Sequence, residues 1–452
     1  MIPNLKKFFG IAMSAAVCLS SMSTLPAQSA PLKALKNPVR SAQKQVRPQV
    51  SWTPDLLIIM PDAKADSDDI KEALDDVHGT VVTTFGEGKL KVIVLRTEKG
   101  QLEATEKKLT SDKKHFAAVG RNYRFSSHVV PNDPAFPASW HLPALNCPKA
   151  WDKSTGGVKI AVLDTGCQAS IPDLSGKVEK GFDANTGAAK ALGGFLAFGG
   201  APGLDDILGA AAAAASSGAK TDQNGHGTWV ASSAAAKMNN NQITAGVAPS
   251  ATIYPIRIAD AGYSQKASTD DLSVICAMAK VYTSGARIVN LSYGGPYYGF
   301  HNAALHAPLH KYFAEFYTMR GGLIFLSAGN DAIFDGTPNM PYFNMVSAID
   351  STGTLADFSN WGTIVDFTAP GKGIVVSDIN GAQVSVDGTS FSCPIVAAEA
   401  ALVWSKNPAL PNVAVEQILR ASCVNSTPGW NPYYGWGMPD AERAASLATG
   451  GL

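Results

Sequence analysis

The sequence predicts an α/β protein: a parallel sheet with helices on both faces, preceded by a small α+β unit of βαββαβ (ferredoxin-like) order. Three observations carry this. Between residues 52 and 128, short strand-like and helix-like runs follow one another in the order of a split βαβ unit. After Val158, apolar strand-like runs alternate with helix-like ones, as in a parallel sheet buried on both sides. The 452 residues, 46% hydrophobic and 16% charged, suffice for a large core or two domains, which excludes a disordered chain and a membrane-spanning bundle.

Residues 1–30 carry Lys6 and Lys7, an apolar run from Phe8 to Leu19 too short to cross a bilayer, and small residues as far as Ala30. That is the pattern of a secretory signal peptide, so soluble export, extracellular or periplasmic, is expected. Residues 31–51, with five Lys/Arg and no acid, read as a basic linker. In the unit at 52–128, strands are expected at Leu56–Met60, Thr80–Phe85, Lys89–Leu95 and Phe116–Phe125, and helices at Ser67–Val77 and Gln101–Leu109. The turn-rich stretch from Ser126 to Pro137 reads as an exposed linker. In the body, 129–452, strands are expected at Val158–Leu163, Ile253–Ile258, Arg287–Leu291, Gly322–Leu326 and Met345–Ile349.

Net charge is zero but unevenly placed. Through residue 128 there are 19 Lys+Arg against 13 Asp+Glu, and beyond it 18 against 24. An acidic body argues against nucleic acid as a partner. Removal of the signal leaves five of the six cysteines, Cys147, Cys167, Cys276, Cys393 and Cys423. An odd number leaves at least one thiol free, and the spacings match neither a zinc site nor a dense disulfide framework; most are expected to be buried and unpaired.

Motifs directly after the strand-like runs weigh most, because in such sheets active groups collect on loops at the strands' carboxyl ends. KIAVL ends in Asp164-Thr165-Gly166. An aspartic protease needs two carboxylates sharing a proton, and no second Asp-Thr-Gly or Asp-Ser-Gly exists. His226, in Asn224-Gly225-His226-Gly227-Thr228, opens a helix between two glycines, and no His-Glu-x-x-His is present. Asn330 follows the strand LIFL in Ser327-Ala328-Gly329-Asn330. Ser390 stands at the start of a long apolar helix, where free N–H groups and the positive dipole end suit an oxyanion. Singly, each of the four can be a cap or turn residue. Their order, each at a strand end or helix start of one sheet, points to nucleophilic catalysis.

LDTG, NGHGTWVA, VNLSYGG, SAGN and DGTSFSCPIVA resemble, in that order, the signature blocks of the subtilisin-like serine proteases, the subtilases. The likeness covers roughly residues 52–447 and takes in NDPAF, NNNQITAGVAPSA and the closing GWGMPDAERA. It implies that Ser390 attacks the scissile carbonyl, that His226 takes and returns its proton, and that Asp164 fixes and stabilises the imidazole. Asn330 and the Ser390 N–H would hold the oxyanion, and Ser292, Tyr293 and Gly294 would pair with extended protein or peptide substrate. The front unit resembles the family's propeptide, an intramolecular inhibitor and chaperone cut off in a self-processed zymogen. The rival sedolisins carry Glu as base and Asp at the oxyanion position, which His226 and Asn330 oppose. The other expectation is a catalytically silent, peptide-binding relative, against which the intact Asp164, His226, Asn330 and Ser390 speak.

The resemblance further implies structural Ca2+, with Asp133, Asp173 and Asn240 at its oxygen-ligand positions, and no organic cofactor. Two positions depart from the family pattern: Trp229 and Ile395 stand where histidines are frequent. A third departure is the insertion at 187–219, with 12 Ala and 8 Gly among 33 residues, which reads either as an apolar flap near the cleft or as a plain surface loop.

Overall fold

The computed structural model describes residues 52–123, 130–185, 218–295, 297–424 and 429–448. The expected signal peptide, the basic linker and, apart from Gly218 and Ala219, the insertion lie outside the described residues.

In the front unit, β1 (Trp52–Pro61) leads to α1 (Ser67–Asp75), β2 (Thr80–Phe85), β3 (Val92–Arg96), α2 (Leu102–Ser111) and β4 (Phe116–Tyr123). The Asp66 carboxylate caps α1 by accepting the Asp68 N–H, and Asp68 and Asp69 complement the positive end of its first turn. Ile70 and Leu74, one helical turn apart, face inward. The strands pair antiparallel in the order β2-β3-β1-β4. Alternate residues of β1 and β3, Leu57 and Ile59 with Ile93 and Leu95, meet both helices in one small core.

Two short helices, α3 (His141–Ala144) and α4 (Cys147–Trp151), open the body. Its parallel sheet has seven strands in the order β13-β11-β9-β8-β5-β7-β6. In chain order these are β5 (Lys159–Asp164), β6 (Phe182–Asp183), β7 (Thr252–Arg257), β8 (Ile288–Leu291), β9 (Leu323–Ser327), β11 (Asn344–Ile349) and β13 (Val365–Pro370). A short pair, β10 (Phe334–Asp335) and β12 (Trp361–Gly362), and a hairpin, β14 (Ile374–Ser377) with β15 (Gln383–Val386), lie outside it. Along β5, Ile160 and Val162 enter one core and Ala161 and Leu163 the other, so the strand is buried on both faces. The first core also holds α5 (His226–Ala235), α8 (Thr389–Lys406) and α9 (Asn412–Ser422), and α10 (Ala441–Leu447) joins it; the second holds α6 (Asp271–Ser284) and α7 (Ala307–Met319). Because β5 lies between β7 and β8, its carboxyl end sits where successive crossovers part, the place where such sheets open a crevice.

The expected exposed linker needs correcting. Pro131, Asp133 and Ala135 are buried, the Asn132 N–H donates to Asn239 Oδ1 at 3.2 Å and the Ala135 N–H to the Ile243 carbonyl at 2.8 Å, so the chain is docked onto the body from Pro131. No disulfide joins these five cysteines among the described residues, and four of the five are buried. Among the described residues no helix is long and apolar enough to cross a membrane.

Glu399 is an anomaly within α8. It is fully buried, and neither carboxylate oxygen has a hydrogen-bond partner among the described residues. Burial, aided by the Asp440 charge, pushes its pKa well above the ordinary value of 4.5. The folded chain therefore keeps a proton that the unfolded chain releases above that value, and stability falls as pH rises past it. Glu399→Met, which removes the unpaired oxygens at similar volume, is expected to raise Tm by several degrees at pH 8, at about 2–4 °C per kcal/mol. The gain should shrink toward pH 4. Equal gains at both pH values in paired melting curves would contradict the assignment.

Candidate active site

Asp164 ends β5 and is fully buried. Its Oδ1 accepts the Thr165 N–H at 2.8 Å and lies 2.8 Å from Nδ1 of His226, the first residue of α5. Gly227 makes that approach possible: a Cβ there would stand 2.1 Å from the Gly166 carbonyl oxygen. The loop between the two groups is tied by a residue that sequence reasoning missed. Asp222 Oδ1 accepts from Thr165 Oγ1 (3.0 Å), Asn224 N (3.0 Å) and Gly225 N (2.9 Å), while Oδ2 accepts from Thr228 N (2.9 Å) and Thr228 Oγ1 (2.7 Å). The cue was an acid four residues ahead of His226, which looks like ordinary loop polarity. Burial works against protonation of His226, but the Asp164 charge and hydrogen bond, with the Asp222 charge, outweigh it and hold the imidazole above its ordinary value.

Ser390 is the second residue of α8 and almost buried. Its Oγ donates to the Ser292 carbonyl at 3.3 Å, and Ser292 Oγ returns a bond to the Ser390 carbonyl at 2.8 Å. No hydrogen bond between Ser390 and His226 is present among the described residues. The two are neighbours through aromatic rings: His226 lies 5.8 Å from Phe391, which follows the serine, and 5.7 Å from Tyr293. Ser292 to Gly294 leave the carboxyl end of β8 outside any strand.

Asn330 follows β9. Its Oδ1 accepts from both the N–H and the hydroxyl of Thr389, each at 2.9 Å, so Nδ2 points the other way, 3.5 Å from where a Cβ of Gly388 would be. Asn360, also missed, braces this loop by donating to the Ala328 carbonyl (3.0 Å) and accepting from Asp331 N (2.9 Å). Trp229 stacks edge-on against Tyr263 at 6.2 Å, and Ile395 is buried in the core; both departures from the family pattern are matters of packing.

Asp133, Asp173 and Asn240 come together at one loop. Asp133 accepts the N–H groups of Asn239 (3.0 Å) and Asn240 (3.1 Å), and Asp173 accepts from Asn240 Nδ2 (3.0 Å) and from the Ser377 hydroxyl. Both carboxylates are buried, and neither is ion-paired with a Lys or Arg among the described residues. Oxygen donors from loops fit a hard ion such as Ca2+, although the Lys177 charge also acts on Asp173 and among the described residues no cluster of three or more His, Cys, Asp or Glu side chains could hold a metal.

A parallel sheet bearing a carboxylate, an imidazole and a helix-start serine at its carboxyl edge defines an α/β serine endopeptidase. Residues 155–437 match the Subtilase family, and the chain belongs to that family. It is 30% identical to thermitase from Thermoactinomyces vulgaris, over 70% of this chain and 99% of that one. It is 31% identical to an extracellular protease from Xanthomonas campestris pv. campestris, over 72% of this chain and 58% of that one. Among solved structures it resembles a protease from Pseudoalteromonas arctica, with TM-score 0.54 and 25% identity, covering 71% of this chain and 100% of that one.

Proposed function

We propose that this serine endopeptidase hydrolyses peptide bonds through Ser390, His226 and Asp164. The observation that carries this is the 2.8 Å Asp164–His226 bond, with His226 set beside the first turn of the serine's helix. A turn about the Ser390 Cα–Cβ bond carries Oγ from the Ser292 carbonyl toward Nε2 of His226, a contact that tightens when substrate binds. Asp164 holds Nδ1–H, which leaves Nε2 unprotonated to accept the serine proton and later pass it to the leaving amine. The developing oxyanion is met by Asn330 Nδ2 and by the Ser390 N–H, a helix-start donor that the helix itself does not pair. Substrate lies extended along Ser292, Tyr293 and Gly294. The acid limb of kcat/KM reports the free enzyme's base, so it is expected above the ordinary imidazole value of about 6.5 and should fall in Asp164→Asn. An acid limb at or below that value in the wild type would count against His226 as the base.

The enzyme is, on this reading, exported as a zymogen. The signal-like residues 1–30 and the extracellular relative support export, and the separately cored unit at 52–128 supports an inhibitory propeptide ahead of the body. Asp133, Asp173 and Asn240 would hold Ca2+, fastening the loop at 239–244 to the body. Excess chelator is then expected to lower Tm; coincident melting curves with calcium and with chelator would remove the ion.

A further inference from the structure

Two loops frame the serine. β8 and β9 are neighbours, with Leu291 opposite Leu326, and the chain leaves them as Ser292–Gly295 on one side and Ala328–Asp331 on the other. The first touches Ser390 through the Ser292 carbonyl, and the second carries Asn330. A substrate whose attacked carbonyl lies between Ser390 and Asn330 must send the side chain of that residue into the gap between the two loops. The gap is narrow at its root: a Cβ on Gly294 would stand 3.4 Å from the Ser327 carbonyl oxygen.

Further out the loops are joined. Asp335 is fully buried, and its Oδ2 accepts the Tyr297 N–H at 3.1 Å and lies 2.9 Å from His301 Nε2. The Tyr297 hydroxyl donates to the Phe334 carbonyl at 2.8 Å. His301 is buried as well. Gly299 lets the first loop fold flat, because a Cβ there would meet the Gly295 carbonyl oxygen at 2.3 Å and His301 Nδ1 at 2.8 Å. On the opposite side Asp335 is fixed by the pairing of β10 with β12 and by the Thr337 N–H on Oδ1 at 2.9 Å. One wall is thus rigid and the other is fastened to it through a buried imidazole and carboxylate.

We propose that His301 and Asp335 are positioning residues, a clamp that sets the spacing of the two walls and so the size of side chain accepted next to the scissile bond. The proposal rests on Ser292–Gly294 facing substrate. Neither clamp residue touches the reacting atoms, so their loss should change selectivity more than chemistry. A difference of one methylene in a pocket is worth about 10–200-fold, and loosening the wall should favour larger side chains.

The test compares peptide p-nitroanilides that differ only in Ala or Phe before the scissile bond, with rates per active serine titrated by a phosphonofluoridate. His301→Ala is expected to raise the Phe/Ala ratio of kcat/KM about tenfold; His301→Gln, which keeps a donor near Nε2, should restore most of the wild-type ratio. Tyr297→Phe removes only the hydroxyl of a half-exposed residue and should move the ratio the same way, about threefold, and it decides the matter alone if His301→Ala yields no active enzyme. A ratio unchanged in Tyr297→Phe and His301→Ala, or an equal fall for both substrates, overturns the clamp. Gly294→Ala separates the premise from the proposal. If it lowers the Phe/Ala ratio while the clamp variants do nothing, only the clamp fails; if it too leaves the ratio unchanged, the substrate-facing role of Ser292–Gly294 fails with it.

Discussion

Ser390→Ala is expected to abolish peptide hydrolysis and to leave the precursor uncut. Ser390 lies in the first turn of α8, between Thr389, which bonds Asn330, and Phe391, whose ring is 5.8 Å from that of His226. Removing the nucleophile of such a triad costs about 2 × 10⁶ in kcat, and what survives comes from the oxyanion donors and substrate binding. Self-processing needs the same nucleophile, so the purified variant should retain residues 52–128, whereas the active wild type should begin between Ser126 and Asp133. The buried attachment of Asp133 and Ala135 to the loop at 239–243 is a reason for that limit, because residues docked there belong with the body after cleavage. Normal processing in the purified variant would contradict the role of Ser390.

Asn330→Leu is expected to lower kcat by about 10²–10³ with little change in KM, the cost of one oxyanion donor whose bond strengthens only in the transition state. The substitution also takes an acceptor from Thr389, whose N–H and hydroxyl both rest on Asn330 Oδ1, and that could loosen the helix start. Asn330→Asp distinguishes the two effects. It keeps an oxygen for Thr389 but replaces the donor by a negative oxygen, so it should be at least as inactive as Asn330→Leu while melting close to the wild type. Retained kcat in Asn330→Asp would mean that the Asn330 amide does not stabilise the oxyanion.

Much of this architecture is legible in the residues. Strands buried on both faces read as unbroken apolar runs, and β5, β7, β8, β9 and β11 fall within a residue or two of their expected places. Asp164 ends β5 and Asn330 lies three residues beyond β9, while His226 and Ser390 stand in the first turns of α5 and α8. β13 escaped because Asp366 interrupts VDFTAP and Pro370 closes it, although the carboxylate is satisfied inside by the Met345 N–H at 2.9 Å and the Asn339 side chain at 3.0 Å. The hairpin of β14 and β15 escaped because its second strand is polar and partly exposed. Asp222 is hidden because most of its bonds stay within six residues and read as ordinary loop polarity, and the Asp335–His301 pair because its members lie 34 residues apart, where no local period marks a hydrogen bond. Glu399 shows the opposite failure, since an apolar helix reads as benign until its one carboxyl is found without a partner.

The most direct test of the proposed site is to label the mature enzyme with a fluorophosphonate and map the adduct by peptide mass spectrometry. One adduct per chain, on Ser390, is expected, with labelling slowed by orders of magnitude in His226→Ala and rising with pH as the His226 imidazole deprotonates. An adduct on any other serine, or an enzyme that goes on cleaving peptides with Ser390 fully blocked, would contradict the assignment of Ser390, His226 and Asp164 to catalysis.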